Sequence, residues 1–568
     1  MKRILVSILL CLSLASPAVC GPRRAIILRA QFKDVKFEMD EAQAKALADS
    51  ASAYFTEQLA TTVTFDLGPV ITLPQDMSYY GHNSTLRRDE LIYKAVMETC
   101  LASVDAVDFA RYDADADGVA DNVLLLTAGV SEAEDAGDDA IWPQMNYLNE
   151  WSAAFALDGR KIDCFSVSTE SAGLRTLCHE YAHSLGLMDL YDTDGSASGG
   201  LAPGLWGTLS LMDKGLRTGD GSLPPNFSAV ELDVLGEGTC ELAAPGTHRL
   251  EPMGSSRRYL KIPTDVDGEY FLIECRAARG WDADLGCSGL IIYHVDRSSN
   301  PTGYSNYYKK DLTAAERWYY NQVNCRPDAE CVHVVAALPT ATSAAEIPFP
   351  QPGINNLDAE TNQAFRYRDG IPVPYVLTNI STKSDGSVSF EISEPLKLLE
   401  VDVFQDAAIL NWEVAGAIGQ DVECEVAWCR DIEKIHTSGK AKGHTYTIEG
   451  LTPGANYMAI VSATTKDGHS YSVRTDFTTR TYREGSRPYI LIPASQRNAD
   501  GSFKPWARLP LRVANAPDAV SVRWSDGTNE IKAGDDGHFI LTGNCTLRAE
   551  ITNKDGSRDV IIKEVTIR

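Results

Sequence analysis

Along residues 21 to about 240 the apolar positions switch between two periods. Residues 25–30 and 123–127 are short continuous apolar runs of the buried-strand type, whereas 40–59 and 171–185 read as helices. From about 240 to 395 the pattern turns to short strands and loops, at 270–274, 289–295 and 387–391. After Pro395 it becomes all-β, with strands at 408–412, 422–428, 446–448 and 460–463, then alternating strands separated by Asp-Gly turns such as Asp526-Gly527 and Asp555-Gly556. The expected fold class is therefore multidomain. An α/β (α+β) domain spans 21–395, with 240–395 as its β-rich subdomain, and two all-β immunoglobulin-like sandwiches follow at 396–482 and 483–568.

Residues 1–20 fall outside this pattern. Lys2 and Arg3 precede an apolar-rich run from 4 to 15, then small residues including Ser16 and Ala18. The run is too short to span a bilayer and has the layout of a secretory signal peptide, cleaved after Ala18. Cys20 offers a second route, a lipid-modified N-terminal cysteine, although Val19 is a poor residue before such a site. Export is thus expected, with the mature protein secreted or surface-tethered. Composition fits: 44% hydrophobic and 23% charged residues exclude a largely disordered, collagen-like or multi-span membrane chain. The formal net charge of −26 repels phosphate backbones, so nucleic acid is not an expected partner. Thirteen cysteines suit an exported chain without fixing any pairing, and Cys178 reads as a buried free thiol.

One segment carries chemistry. With Ser171 taken as the helix N-cap, Leu174, Leu177, Cys178, Tyr181 and Leu185 form one apolar stripe at three-four spacing. His179 and His183 then fall one turn apart on the opposite face with Glu180 beside them. Two histidines at i and i+4 can hold one zinc ion, and a glutamate angled off the ligand line can act on a water as general base. Gly186 can take positive φ, end the helix and return the chain, bringing Asp189 within reach as a third ligand. The layout His-Glu-x-x-His-x-x-Gly-x-x-Asp follows the metzincin plan with aspartate in place of a third histidine, and Met212 stands where those enzymes carry a turn beneath the metal. Lys214 occupies the place of their following tyrosine, so no tyrosine is assigned to the transition state. In the gluzincin plan the third ligand would instead be a more distant glutamate, for which Glu231 is the candidate.

A second cluster lies at residues 113–121. Asp113, Asp115 and Asp117 alternate, Gly118 allows a sharp turn, Val119 offers a carbonyl and Asp121 completes an EF-hand-like start for Ca²⁺. The usual glutamate at the twelfth position is replaced by Leu124, so another ligand must come from elsewhere or from water.

These segments, together with 25–34, 139–142, 289–296 and 377–381, resemble the immune inhibitor A family of secreted bacterial metallopeptidases over about 370 residues. The resemblance implies a metzincin-like zinc endopeptidase with bound calcium, acting on protein or peptide substrates. It begins almost at the expected cleavage site, which leaves no room for an N-terminal pro-domain. His294 and Asp296 fall in a matching segment but are expected as the buried end of a strand, with no catalytic role. Residues 451–457, Leu-Thr-Pro-Gly-Ala-Asn-Tyr, resemble the fibronectin type III domain, in which such a tyrosine pins a sheet-to-sheet corner through its hydroxyl. The C-terminal β domains would then offer contact with cell-surface or host extracellular proteins. An alternative from another class is a surface adhesin whose metallopeptidase domain is vestigial, but Glu180 and both histidines are intact.

Overall fold

The computed structural model describes residues 22–568, except 86, 135, 203, 215–222, 265, 416–421, 431–433, 442, 467, 482–486, 493–495, 499 and 535–537. The expected signal peptide and Cys20 lie outside the described residues. The chain divides into two compact units, residues 1–356 with 378–391, and residues 357–377 with 392–568.

The first unit is built on a five-stranded sheet. Its order is Val63–Thr72, Arg23–Gln31, Val123–Thr127, Cys164–Thr169 and Gln144–Tyr147. The first four strands are parallel, and the last joins antiparallel. A parallel sheet is covered on both faces, which is why 123–127 is apolar at almost every position and fully buried. Ile27, Leu124 and Leu126 point to a core shared with helices Glu41–Leu59 and Gly173–Ser184. Ile26, Leu28, Val123, Leu125 and Phe165 point to the other, against helix Ile92–Ala102. Asp40 caps the first helix through the amide of Gln43 in a reciprocal capping box, one residue from the expected start.

A second five-stranded sheet follows, in the order Val332–Val334, Gly289–Asp296, Glu269–Arg276, Arg258–Pro263 and Thr239–Leu242. Leu272, Ile291, Tyr293 and Val295 from its central strands enter the same apolar cluster as Leu177, Cys178 and Tyr181. The β-rich part therefore shares one core with the histidine-bearing helix. His294 and Asp296 are buried at the end of their strand, as expected, with His294 Nε2 2.8 Å from Glu269 Oε1.

The second unit is β-structured. Sheets of three strands (Leu396–Val403, Ala407–Val414, Thr445–Glu449) and four strands (His436–Ala441, Glu423–Cys429, Asn456–Thr464, Ser470–Thr478) enclose a core of Leu410, Trp412, Val426, Ile448 and Val461. The hydroxyl of Tyr457 accepts the Thr452 amide at 2.9 Å, the corner contact expected of that tyrosine. A further core of Phe503, Leu509, Trp524, Leu547 and Val565 lies with the three-stranded sheet Ala519–Ser525, Cys545–Asn553 and Arg558–Val565.

Candidate metal centre

The helix bearing the histidines runs Gly173–Ser184, shorter than 171–185, and Ala172 rather than Ser171 occupies the cap position. Ser171 is engaged elsewhere: its hydroxyl accepts the Ser131 amide, meets the Thr169 hydroxyl at 3.0 Å and donates to Glu134 at 2.5 Å, which commits its proton and both lone pairs away from the helix end. The stripe behaves as its spacing dictates. Leu177, Cys178 and Tyr181 are buried in the core with Leu174 and Leu185 packed against it, and burial pushes the Cys178 thiol well up.

That orientation leaves His179 and His183 facing away from the core side by side, their rings 4.9 Å apart and nearly perpendicular. His179 Nδ1 lies 2.8 Å from the Leu211 carbonyl and His183 Nδ1 lies 2.8 Å from the Leu187 carbonyl. A carbonyl oxygen only accepts, so each Nδ1 carries a proton and each Nε2 is the atom turned to the site. Both Nε2 atoms converge on one oxygen: Asp189 Oδ1 is 3.1 Å from His179 and 3.4 Å from His183. The three side chains are largely buried, at 13%, 14% and 8% exposure.

The return that delivers Asp189 is local. After the helix, Gly186 adopts φ 100°, a value strained for any residue with a Cβ, and its amide donates to the His183 carbonyl. The chain then runs back so that the Leu190 amide donates to the Met212 carbonyl at 2.9 Å. Met212 is fully buried, and its neighbour Leu211 supplies the carbonyl that orients His179. Glu231, the alternative ligand, is buried under this turn. Its carboxylate accepts from Ser210 Oγ, the Met212 amide and the Ser228 amide. Glu231 thus props the turn, while the clustered donor atoms are those of His179, His183 and Asp189.

Electrostatics follow from burial and proximity. Burial raises the Glu180 carboxyl above its ordinary range, partly offset by the two imidazoles. Burial opposes the charge on His183, but the neighbouring Asp189 carboxylate outweighs it and the imidazole is raised. Burial would likewise raise Asp189, but the two imidazoles hold it well below the usual carboxylate range. Two residues that periodicity could not single out complete the surroundings. Asn321 meets Asp189 at both its amide and its carboxylate, each at 2.7 Å. The Tyr191 ring lies 6.4 Å from that of His179, and burial, with the Asp189 carboxylate nearby, pushes its phenol well up.

In the acidic loop, the carboxylates of Asp113, Asp115 and Asp117 come within 4.8 Å of one another. Gly118 takes φ 90° and Ala116 φ 60° to make the turn. Asp121 Oδ2 closes the loop on the Ala114 amide at 3.1 Å, and Arg160 pairs with Asp113 at 2.5 Å. Val119 bridges to Lys161 in a short parallel contact. A third group, Asp192, Asp194 and Cys325, also clusters. Two hard carboxylates with a soft thiol make a poor donor set for a single ion, and Asp192 is occupied by the amides of Asp194 and Ala202.

The family model of the immune inhibitor A peptidase M6 catalytic domain matches residues 47–236. Immune inhibitor A of Bacillus thuringiensis subsp. alesti is 26% identical over 215 residues, covering 31% of this chain and 30% of that protein. The match therefore spans less than a third of that relative's length. Among solved structures, the sixth fibronectin type III domain of human fibronectin type III domain containing protein 3 is 25% identical, covers 17% of this chain and 94% of its own, and has a TM-score of 0.15. Another fibronectin type III domain of the same human protein is 15% identical, covers 16% and 89%, and has a TM-score of 0.15. The stretch that holds the histidine helix and its return turn is thus similar to the catalytic domain of the immune inhibitor A peptidases.

Proposed function

We propose that the protein is a secreted zinc-dependent endopeptidase that hydrolyses internal peptide bonds of proteins. The carrying observation is the convergence of two Nε2 atoms and one carboxylate oxygen, with each opposite Nδ1 committed to a backbone carbonyl. A buried His₂-carboxylate set with its imidazoles fixed from behind fits zinc in its open, catalytic form. His179, His183 and Asp189 would hold the ion. Bound there, zinc supplies Lewis-acid polarisation of the scissile carbonyl and lowers the pKa of a water towards about 7.

The chain's own residues do the rest. Glu180 follows His179 directly on the helix, and its buried carboxylate feels both imidazoles and Asp189. Its raised affinity for a proton suits it to take one from the attacking water and deliver it to the leaving amine. Met212 and Gly186 act structurally, one filling the floor beneath the site and the other turning the chain back. The Asp113, Asp115 and Asp117 oxygens, with the Val119 carbonyl and Asp121, would hold Ca²⁺, a hard ion suited to an all-oxygen set. The β-structured second unit would contact substrate or host proteins.

Glu180→Gln tests the reaction. The variant should bind zinc as the wild type does and lose turnover of unfolded casein by about 100-fold or more. Near-wild-type turnover would remove Glu180 from its role. A purified, calcium-loaded wild type that shows no chelator-sensitive casein degradation would instead favour a binding protein with a vestigial site.

A further inference from the structure

The metal centre proposed above is not contained in residues 47–236. Asp189 is gripped from 132 positions away by Asn321, which follows the helix Ala314–Tyr319 in the β-rich part. The grip has two points: Asn321 Oδ1 accepts the Asp189 amide and Asn321 Nδ2 donates to Asp189 Oδ2, both at 2.7 Å. One side chain must therefore offer an acceptor and a donor on the same planar group, which an amide does and a carboxylate, hydroxyl or methyl does not. The consequence is directional. With Oδ2 taken by Asn321, Oδ1 is the oxygen left facing His179 and His183.

Asn321 is itself fixed in place. It sits at φ 53°, where asparagine is among the few residues with a Cβ that are readily accommodated. Its carbonyl accepts the Thr193 hydroxyl at 3.0 Å, and the next amide, of Gln322, donates to the Arg317 carbonyl. Three residues on, fully buried Asn324 ties Leu190 to Val332 through its own amide. The segment 321–324 thus runs along the return turn and holds it at Asp189 and at Leu190.

We propose that Asn321 is a positioning residue of the metal centre: it fixes the Asp189 carboxylate in the ligating orientation and so sets the affinity for zinc. The proposal rests on the zinc reading. A ligand carboxylate held by a neighbouring hydrogen-bond donor loses less freedom on binding, and removal of such a partner typically weakens metal binding 10- to 100-fold. The peptidase site is then completed by a residue beyond the stretch that matches the family domain.

The test measures zinc affinity of the full chain by competition with a chromogenic chelator, beside thermal melting of the zinc-free form. Asn321→Gly keeps the left-handed backbone and removes only the side chain. Thr193→Val loosens the same segment without touching Asp189. Expected are a zinc affinity about 10- to 100-fold weaker in Asn321→Gly, whose zinc-free form still unfolds in one cooperative step at a somewhat lower temperature, and wild-type affinity in Thr193→Val. Unchanged affinity in Asn321→Gly would overturn the proposal. So would an equal loss in Thr193→Val, or an Asn321→Gly chain that fails to fold without metal, since either assigns the residue to the fold. A wild type that takes up no zinc would remove the metal reading itself, a different failure from a wild type that binds and a variant that binds equally well.

Discussion

Asp189 and Glu231 are both buried acids near the histidine helix, and their surroundings separate them. Asp189 has one oxygen facing two imidazoles, whereas Glu231 spends its carboxylate on Ser210, Met212 and Ser228. Asp189→Ala should therefore abolish stoichiometric zinc in a folded chain. Glu231→Ala should leave zinc content near one per chain in the folded fraction while lowering stability by about 1–3 kcal/mol for each buried donor left unpaired. Metal analysis beside melting distinguishes the two. The metal-free site also carries a pH signature. Asp189 is depressed, so its contribution is present above the ordinary carboxylate range and lost only at strongly acid pH; His183 is raised, so its contribution is full below the ordinary imidazole value and lost as pH climbs through the raised one. The destabilisation caused by Asp189→Asn in metal-free protein should be largest near pH 6 and shrink on the alkaline side; a pH-independent difference would mean that the pair is not charged. At this scale the sequence was legible wherever geometry is local. One helical turn sets His179 against His183 and three residues set Gly186, but nothing in the neighbourhood of Asn321 announces a partner 132 residues earlier.

The histidine helix shows at the element scale what pattern reading sees and what it overlooks. Its buried stripe follows from apolar spacing because the core is large enough to reward every one of those positions. Its first residue did not follow, because Ser171 has better partners in Ser131 and Glu134 than the helix end. The acidic loop was legible for the same local reason as the helix, with alternate aspartates and a glycine at positive φ. Asp115 is exposed and free of Arg160, which pairs with Asp113, so it is the cleaner residue to remove. Calcium at 100 times its dissociation constant should stabilise the wild type by about 2.7 kcal/mol, and Asp115→Ala should abolish that gain. Calorimetry with calcium and with a calcium chelator checks it; an equal response in both proteins would locate the ion elsewhere. In the second unit, Tyr457→Phe removes the bond to the amide of exposed Thr452 and should cost about 0.5–1.5 kcal/mol there, read as an earlier unfolding transition with casein turnover unchanged.

The charge of the whole molecule, −26, would by itself make the folded chain more stable as acid titrates some of it away. Buried carboxylates point the same way. Burial pushes Asp89 up to about 8, although the Trp142 amide and Gln144 donate to it, and burial pushes Glu330 up to about 7. In the unfolded chain both groups ionise in the ordinary carboxylate range, so between that range and pH 7–8 the folded state holds protons that the unfolded state has released. Stability then falls as pH rises through this window, by up to about 1.4 kcal/mol per pH unit for each group, and levels off above the folded values. Metal binding has the opposite slope, because ligands must shed protons to bind. The two tendencies separate experimentally. Metal-free protein should melt at a higher temperature at pH 6 than at pH 8, and Asp89→Asn, which cannot ionise, should flatten that dependence. A metal-free wild type whose melting temperature rises steadily from pH 6 to 8 would mean that these carboxylates are ionised in the folded chain, and the acid-side optimum argued from their burial would fall.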